Sequence, residues 1–246
     1  LSKAELEFVR YADDAIVMCQ TKEQLEKAKA IVQETLDKLG LELAEDKSDD
    51  IDFHKEDFDF LGFTFNHLKM SKNKRVYYTF GPSIKSIKKF KSDIKAKTKK
   101  GYTYSFEKWA EILNPLLRGK YNYYLIPFQV EKEIRLLLEE RGRTMHGIPV
   151  LKAENLDGYV RQRLRVNFSC RGKKHGGQRQ GKLLTVKYGN EFFIKSMRLV
   201  TGAYMRAQQR NSQISVDEFI RYMENKKKKR TFSPKRQRFF QYAYAK

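Results

Sequence analysis

Cysteine, tryptophan and proline are scarce in this 246-residue chain, which has two, one and five of them. The two cysteines, Cys19 and Cys170, stand far apart and neither has a Cys-x-x-Cys partner. A disulfide framework is thereby excluded and a zinc site has no support; Cys19 reads as a small buried strand residue. No stretch approaches the roughly 18 consecutive apolar residues of a membrane-spanning helix. The first residues lack the basic-then-apolar order of a secretory leader. The expected setting is therefore the cytoplasm, with no membrane partner. The chain starts on leucine rather than methionine and a strand pattern begins almost at once, at Phe8 and Val9, so an upstream segment is expected. No internal repeat is visible. Hydrophobic residues make up 40% of the sequence, enough for the core of one large domain or two small ones.

Acidic residues are scarce in only one part of the chain. Residues 1–70 hold 9 Lys and Arg against 17 Asp and Glu, a net −8, whereas residues 71–246 hold 42 against 13, a net +29. A surplus of that size, interleaved with many of the 14 Tyr and 17 Phe, fits a polyanion whose phosphates meet Lys and Arg while its bases or sugars meet aromatic faces. Nucleic acid is the first candidate. A basic surface serving solubility alone is the competing account, and the acidic front segment argues against uniform basicity.

Residues 8–18 read as strand, tight turn, strand, with Phe8, Val9 and Tyr11 before the turn and Ala15, Ile16, Val17 and Met18 after it. Thr21 then caps a helix, with Gln24 as its capping-box partner; Leu25, Ala28, Ile31, Val32, Leu36 and Leu39 form one apolar stripe, and Gly40 is the stop. Leu41 and Leu43 predict a short strand, "FDFLGFTF" (58–65) a longer one with Gly62 permitting a close backbone approach, and "VYYTF" (76–80) a third. Beyond Gly81-Pro82-Ser83 the pattern turns helical and basic. Helices are predicted over 83–100, 105–117, 130–142, 155–168 and 190–208. "RGKKHGGQRQGK" (171–182) reads as a glycine-rich basic loop, and "NKKKKR" (225–230) with the last sixteen residues as a mobile basic tail.

The hairpin of residues 8–18 carries two adjacent carboxylates, Asp13 and Asp14, at its tip. Like charges so placed repel. Held by buried strands, they would form a hard oxygen site of the kind magnesium takes, completed by phosphate oxygens and water, and the metal would relieve the repulsion. The plainer account is turn chemistry, because Asp tolerates turn geometry and bonds its own backbone.

The string Phe8-Val9-Arg10-Tyr11-Ala12-Asp13-Asp14 resembles the Tyr-x-Asp-Asp hairpin of reverse transcriptases, in the Tyr-Ala-Asp-Asp form common in group II intron-encoded enzymes. "LGLELAEDKS" (39–48) resembles the next palm block, with Lys47 at its characteristic lysine, and "FDFLGFTF" the primer-grip block after it. "SIKSIKKFKSDIKAKTKK" (83–100), "LNPLLRGKYNYY" (113–124) and "LDGYVRQRLR" (156–165) resemble, in order, the thumb or maturase-specific domain of group II intron proteins. Lys120 stands where that family usually has tryptophan, and no cysteine-rich HNH endonuclease module follows residue 168. Val200-Thr201-Gly202 resembles a retron motif but lies far from the palm blocks. The fold implied is α+β. A partial reverse-transcriptase palm of β-hairpin, helix and strands over 1–80 is followed by a mainly α-helical thumb/maturase domain over 81–168 and a basic C-terminal extension over 169–246.

The resemblance implies an RNA-directed DNA polymerase: a primer 3′-hydroxyl attacks the α-phosphorus of a deoxynucleoside triphosphate (dNTP) and pyrophosphate leaves, with two Mg2+ ions at the site. Asp13 would ligate the metals and Asp14 support them by a looser contact, the set being completed by an aspartate outside this chain. Tyr11 would flank the nucleotide or primer end. Lys47 would neutralise or protonate the pyrophosphate, or be a solvated loop lysine. Phe60, Leu61, Gly62 and Phe63 would hold the primer. RNA contacts are expected from Lys85, Lys88, Lys89, Lys91, Lys95, Arg118, Lys120, Tyr121, Tyr123, Tyr124, Arg161, Arg163 and Arg165. The implied partners are group II intron RNA, whose splicing and mobility the family assists, an RNA template with its DNA primer, and an upstream fingers and palm segment, without which this chain is expected to be inactive. The alternative is a maturase-type RNA-binding module that keeps palm remnants and does not polymerise.

Overall fold

A computed structural model of the chain describes residues 6–42, 48–99, 102–142, 144, 146–169 and 180–231. Strands β1 (Glu7–Tyr11) and β2 (Asp14–Met18) pair antiparallel, Tyr11 opposite Asp14, in a two-stranded sheet of their own. Helix α1 (Lys22–Leu39) follows. The Thr21 hydroxyl accepts from the Gln24 N–H at 3.2 Å, and Gln24 Oε1 reaches back to the Gln20 N–H at 2.7 Å. At the other end the N–H of Gly40 and that of Leu41 close the last turn on Asp37 and Leu36 carbonyls. Leu41 and Glu42 are in no strand, and Leu43 lies outside the described residues.

A second sheet has the order β3 (Phe58–Phe60), β4 (Phe63–Met70), β5 (Val76–Pro82), β6 (Gly147–Pro149), antiparallel except for the last pair. The expected single strand over 58–65 is therefore a hairpin. Leu61 (φ 47°) and Gly62 (φ 74°) both sit in the left-handed region, the sign pattern of a type I′ turn, which matches the twist of the strands it joins. Phe58, Phe65 and Phe80 are register partners across three strands and their rings stack, with centroids 4.9 and 5.4 Å apart.

Asp57, just before β3, ties this sheet to its approach loop. It accepts from the His67 N–H (2.7 Å), the Asn66 amide (2.8 Å) and His67 Nδ1 (2.7 Å). These donors, the His67 backbone first, hold the carboxyl down at about 2. An unfolded aspartate titrates near 3.9, so the stabilisation is complete above about pH 4 and lost as the pH falls toward about 2. In urea melts from about pH 6 to about pH 2.5, wild type should lose stability faster than Asp57→Asn across that window. Parallel profiles would show that these bonds contribute nothing.

The main core lies among the helices. α2 (Ile84–Lys97) is capped by Ser83 and buries Phe90 and Ile94. α3 (Phe106–Glu140) is one helix of 35 residues that runs through Pro115 and Pro127, where the sequence predicts two helices, 105–117 and 130–142. A proline inside a helix costs about 3 kcal/mol. Trp109, Leu113, Leu117, Tyr121, Tyr124 and Leu125 offset it with a continuous fully buried seam that rewards keeping the helix unbroken. α4 (Ala153–Ser169) adds Val160 and Leu164 to the same core.

α5 (Gln180–Lys187), α6 (Asn190–Lys195), α7 (Gly202–Arg210) and α8 (Val216–Thr231) complete the chain. Phe193, Met197 and Leu199 join the core built by α2 to α4, so residues on both sides of position 168 share it. The expected helix over 190–208 is broken between α6 and α7. Asn114 of α3 holds the break, donating to the Arg198 carbonyl at 3.0 Å and accepting from the Val200 N–H at 2.9 Å. Residues 225–230, expected in a mobile tail, continue the backbone of α8. Most of the glycine-rich loop, residues 171–179, and the tail from 232 onward lie outside the described residues. Among the described residues no helix is long and apolar enough to cross a membrane.

Candidate active site

The turn between β1 and β2 is Ala12-Asp13. Ala12 has a φ of 53°, a region where a side chain costs about 1–3 kcal/mol and which clusters at functional sites. The Arg10 guanidinium helps to hold it, donating from Nε to the Ala12 carbonyl at 2.8 Å. Asp13 thus sits at the tip and Asp14 opens β2, and both are exposed, as is Tyr11. The strands beneath are not the buried strands expected: Phe8, Val9 and Met18 are exposed and Cys19 is half-buried, because among the described residues the hairpin pairs only with itself.

Two carboxylates at one tip suit the hard-oxygen preference of magnesium. Among the described residues, however, no group of three or more His, Cys, Asp or Glu side chains is placed to hold a metal. The pair is a partial donor set, open to phosphate oxygens and further carboxylates. Lys47 lies outside the described residues.

The second hairpin tip is built differently. The Gly62 carbonyl accepts from the Ser83 N–H at 2.9 Å and the Ser86 hydroxyl at 2.8 Å, both at the start of α2. The Leu61 carbonyl accepts from the Tyr123 hydroxyl of α3, whose ring packs on Phe63 with centroids 5.2 Å apart. Phe60 and Phe63 are register partners flanking the turn. Tyr11 of the first hairpin lies close enough to Tyr123 to add to the burial that pushes the Tyr123 hydroxyl up. A Cβ on Gly62 would come within 2.8 Å of Ser86 Oγ, at a φ of 74°. Gly62→Ala should therefore lower the urea midpoint by the equivalent of about 1–3 kcal/mol. An unchanged midpoint would show that the turn is not held as described.

On α2, Lys85, Lys88, Lys89, Lys91 and Lys95 are exposed; the first three and Lys95 form an arc turned away from Ile87, Phe90 and Ile94, and Lys91 lies at its edge beside Ile87. No acidic side chain among the described residues pairs with any of these five lysines. Lys91 lies over the Tyr159 ring, 5.6 Å from its centroid. Arg118 and Tyr123 are exposed and Lys120 is half-buried.

Five residues expected at an RNA surface are committed to the fold instead. Tyr121 is fully buried and donates to Asp157 Oδ1 at 2.6 Å. Tyr124, also buried, donates to the Ser86 carbonyl at 3.1 Å. The helical spacing that places Tyr123 outward turns both neighbours inward. Arg163 bonds the hydroxyl and carbonyl of Thr98 at the end of α2. Arg165 bonds the Tyr188 carbonyl and lies over the Phe193 ring. Arg161 is half-buried beside Asp157, and its Nε has no partner among the described residues.

Asp157 was invisible as a site in the sequence. Its carboxylate caps α7, accepting from the N–H groups of Gly202 (2.8 Å) and Ala203 (3.0 Å). Burial pushes the carboxyl up, opposed by the Tyr121 hydroxyl, those two N–H groups and Arg161. Gly202 packs flat on Tyr121, where a Cβ would lie 2.5 Å from the ring, so the Val200-Thr201-Gly202 string has a packing role here.

Residues 1–65, which span the first hairpin, α1, β3 and the turn at Leu61-Gly62, match the family model of reverse transcriptase (RNA-dependent DNA polymerase). No curated protein matches the chain at a significant level.

Proposed function

We propose that this chain is the C-terminal portion of an RNA-directed DNA polymerase of the group II intron reverse transcriptase and maturase type, which binds template–primer and structured intron RNA and assists splicing and mobility. One observation carries the reading: paired carboxylates at a strained hairpin tip, inside the stretch that matches the reverse-transcriptase family. Bound magnesium would supply charge neutralisation for the transferring phosphate. Asp13, at the tip, would hold it with one carboxylate face, and Asp14, one residue along on β2, would orient the site from beside it. Tyr11 would flank the nucleotide, the Leu61-Gly62 turn would hold the primer end, and Lys47 would stand near the leaving pyrophosphate. The lysine arc of α2, with Arg118 and Lys120, would track phosphates of the bound duplex or intron RNA.

A second reading, a maturase-type module that binds RNA without polymerising, is favoured by the partial donor set. Primer extension on poly(rA)/oligo(dT) with magnesium separates the two. The polymerase reading expects dTMP incorporation once this chain is joined to an upstream segment carrying a further palm aspartate. No incorporation by that joined protein would leave the binding module.

A further inference from the structure

The two carbonyls of the Leu61-Gly62 turn are both taken up by side chains of the helical region. Tyr123, from α3, donates to Leu61, and Ser86, from α2, donates to Gly62. The Tyr124 hydroxyl in turn bonds the Ser86 carbonyl at 3.1 Å, so the segment that carries Ser86 is itself tied to α3. Tyr123 is 40% exposed, and its hydroxyl is the donor that ties the Leu61 end of the turn to α3.

We infer that Tyr123 and Ser86 are positioning residues for a primer terminus: they set the orientation of the Leu61-Gly62 turn and lock it to α2 and α3, the helices that carry the exposed cations. The inference rests on the reverse-transcriptase reading above. A duplex lying on the lysine arc would then meet its 3′ end at a turn whose direction is fixed by the same two helices. Without the two hydroxyls the turn would keep its left-handed backbone, set by Gly62, and the Ser83 N–H bond to the Gly62 carbonyl, but its Leu61 end would lose its tie to α3.

The test uses the 246-residue chain and two RNA–DNA hybrids of equal length and charge, one with a recessed DNA 3′ end and one with a recessed 5′ end, read by fluorescence anisotropy. Wild type should prefer the recessed 3′ end. Tyr123→Phe and Ser86→Ala should each shrink that preference by about threefold to tenfold, the worth of one net hydrogen bond, with binding of the recessed-5′ hybrid unchanged. Ser86→Thr, which keeps a hydroxyl, should restore it. A preference kept in both deletion variants overturns the positioning role and leaves the polymerase reading standing, as does an equal loss on both hybrids. A wild type with no preference overturns the positioning role, while the polymerase reading stands or falls by primer extension with the joined protein.

Discussion

Asp13→Ala is expected to abolish primer extension in a polymerase that joins this chain to an upstream palm segment, by roughly 10³-fold or more, the equivalent of several kcal/mol of charge stabilisation. The geometry separates it from its neighbour. Asp13 is a turn residue at the tip, while Asp14 is the first residue of β2 and pairs across the ladder with Tyr11. A carboxylate carried on the turn and one held by the paired strand after it are set by different backbone, so the two do not address one ion equally. Asp14→Ala should accordingly cost less, on the order of 10- to 100-fold, as for a group that orients a metal site from beside it. The 246-residue chain by itself should extend no primer, because its described residues offer two carboxylates and no third. Single-turnover extension with magnesium in excess reads all three. Near-normal extension by Asp13→Ala would remove the hairpin from the chemistry, and robust extension by the chain alone would show that the donor set is complete.

Helix α1 was legible to the residue because its ends are local chemistry: Thr21, Gln24 and Gly40 act on backbone groups within one turn of themselves. The hairpin at Asp13-Asp14 was legible for the same reason. What escaped depends on partners far away in the chain. The turn at Leu61-Gly62 lies within an unbroken apolar alternation, where a leucine at positive φ has no local signature, and it is held by Ser83, Ser86 and Tyr123 from two later helices. The prolines of α3 carry a strong local stop signal, overridden by a buried seam that exists only once α2 and α4 have packed. Tyr121, Tyr123 and Tyr124 are alike as letters, and only the rotation of α3 decides which one meets solvent. Basic residues divide in the same way. The α2 lysines keep their charge outward, whereas Arg163 and Arg165 look equally available in sequence and are drawn to backbone carbonyls, a task suited to a planar guanidinium.

That division fixes where RNA binding should fail. With the Arg163 and Arg165 side chains committed to the fold, the α2 arc is a dense set of exposed cations that no described acid neutralises. Binding that rests on it is dominated by phosphate pairing and released counterions. If six to ten phosphates are engaged, affinity for a structured intron RNA should fall by about 10³ to 10⁵ between roughly 50 and 200 mM salt. Lys88 and Lys89 face away from Phe90 and Ile94, and Lys91 flanks them over the Tyr159 ring; all three are exposed, so replacing them with alanine removes no buried side chain. The triple variant should bind more weakly, and the slope of log affinity against log salt should fall by about 3, one for each phosphate that no longer meets a lysine. Asp13→Ala combined with Asp14→Ala removes two exposed negative charges and should leave binding equal or slightly tighter. Arg163→Ala should act differently again. It frees the Thr98 hydroxyl and carbonyl at the end of α2, so it should lower the melting temperature while leaving the salt slope near that of wild type. Filter binding across a salt series, with a thermal melt of each variant, reads every arm. An unchanged slope in the triple-lysine variant, or a flattened slope in Arg163→Ala at full stability, would move the RNA surface from α2 to α4.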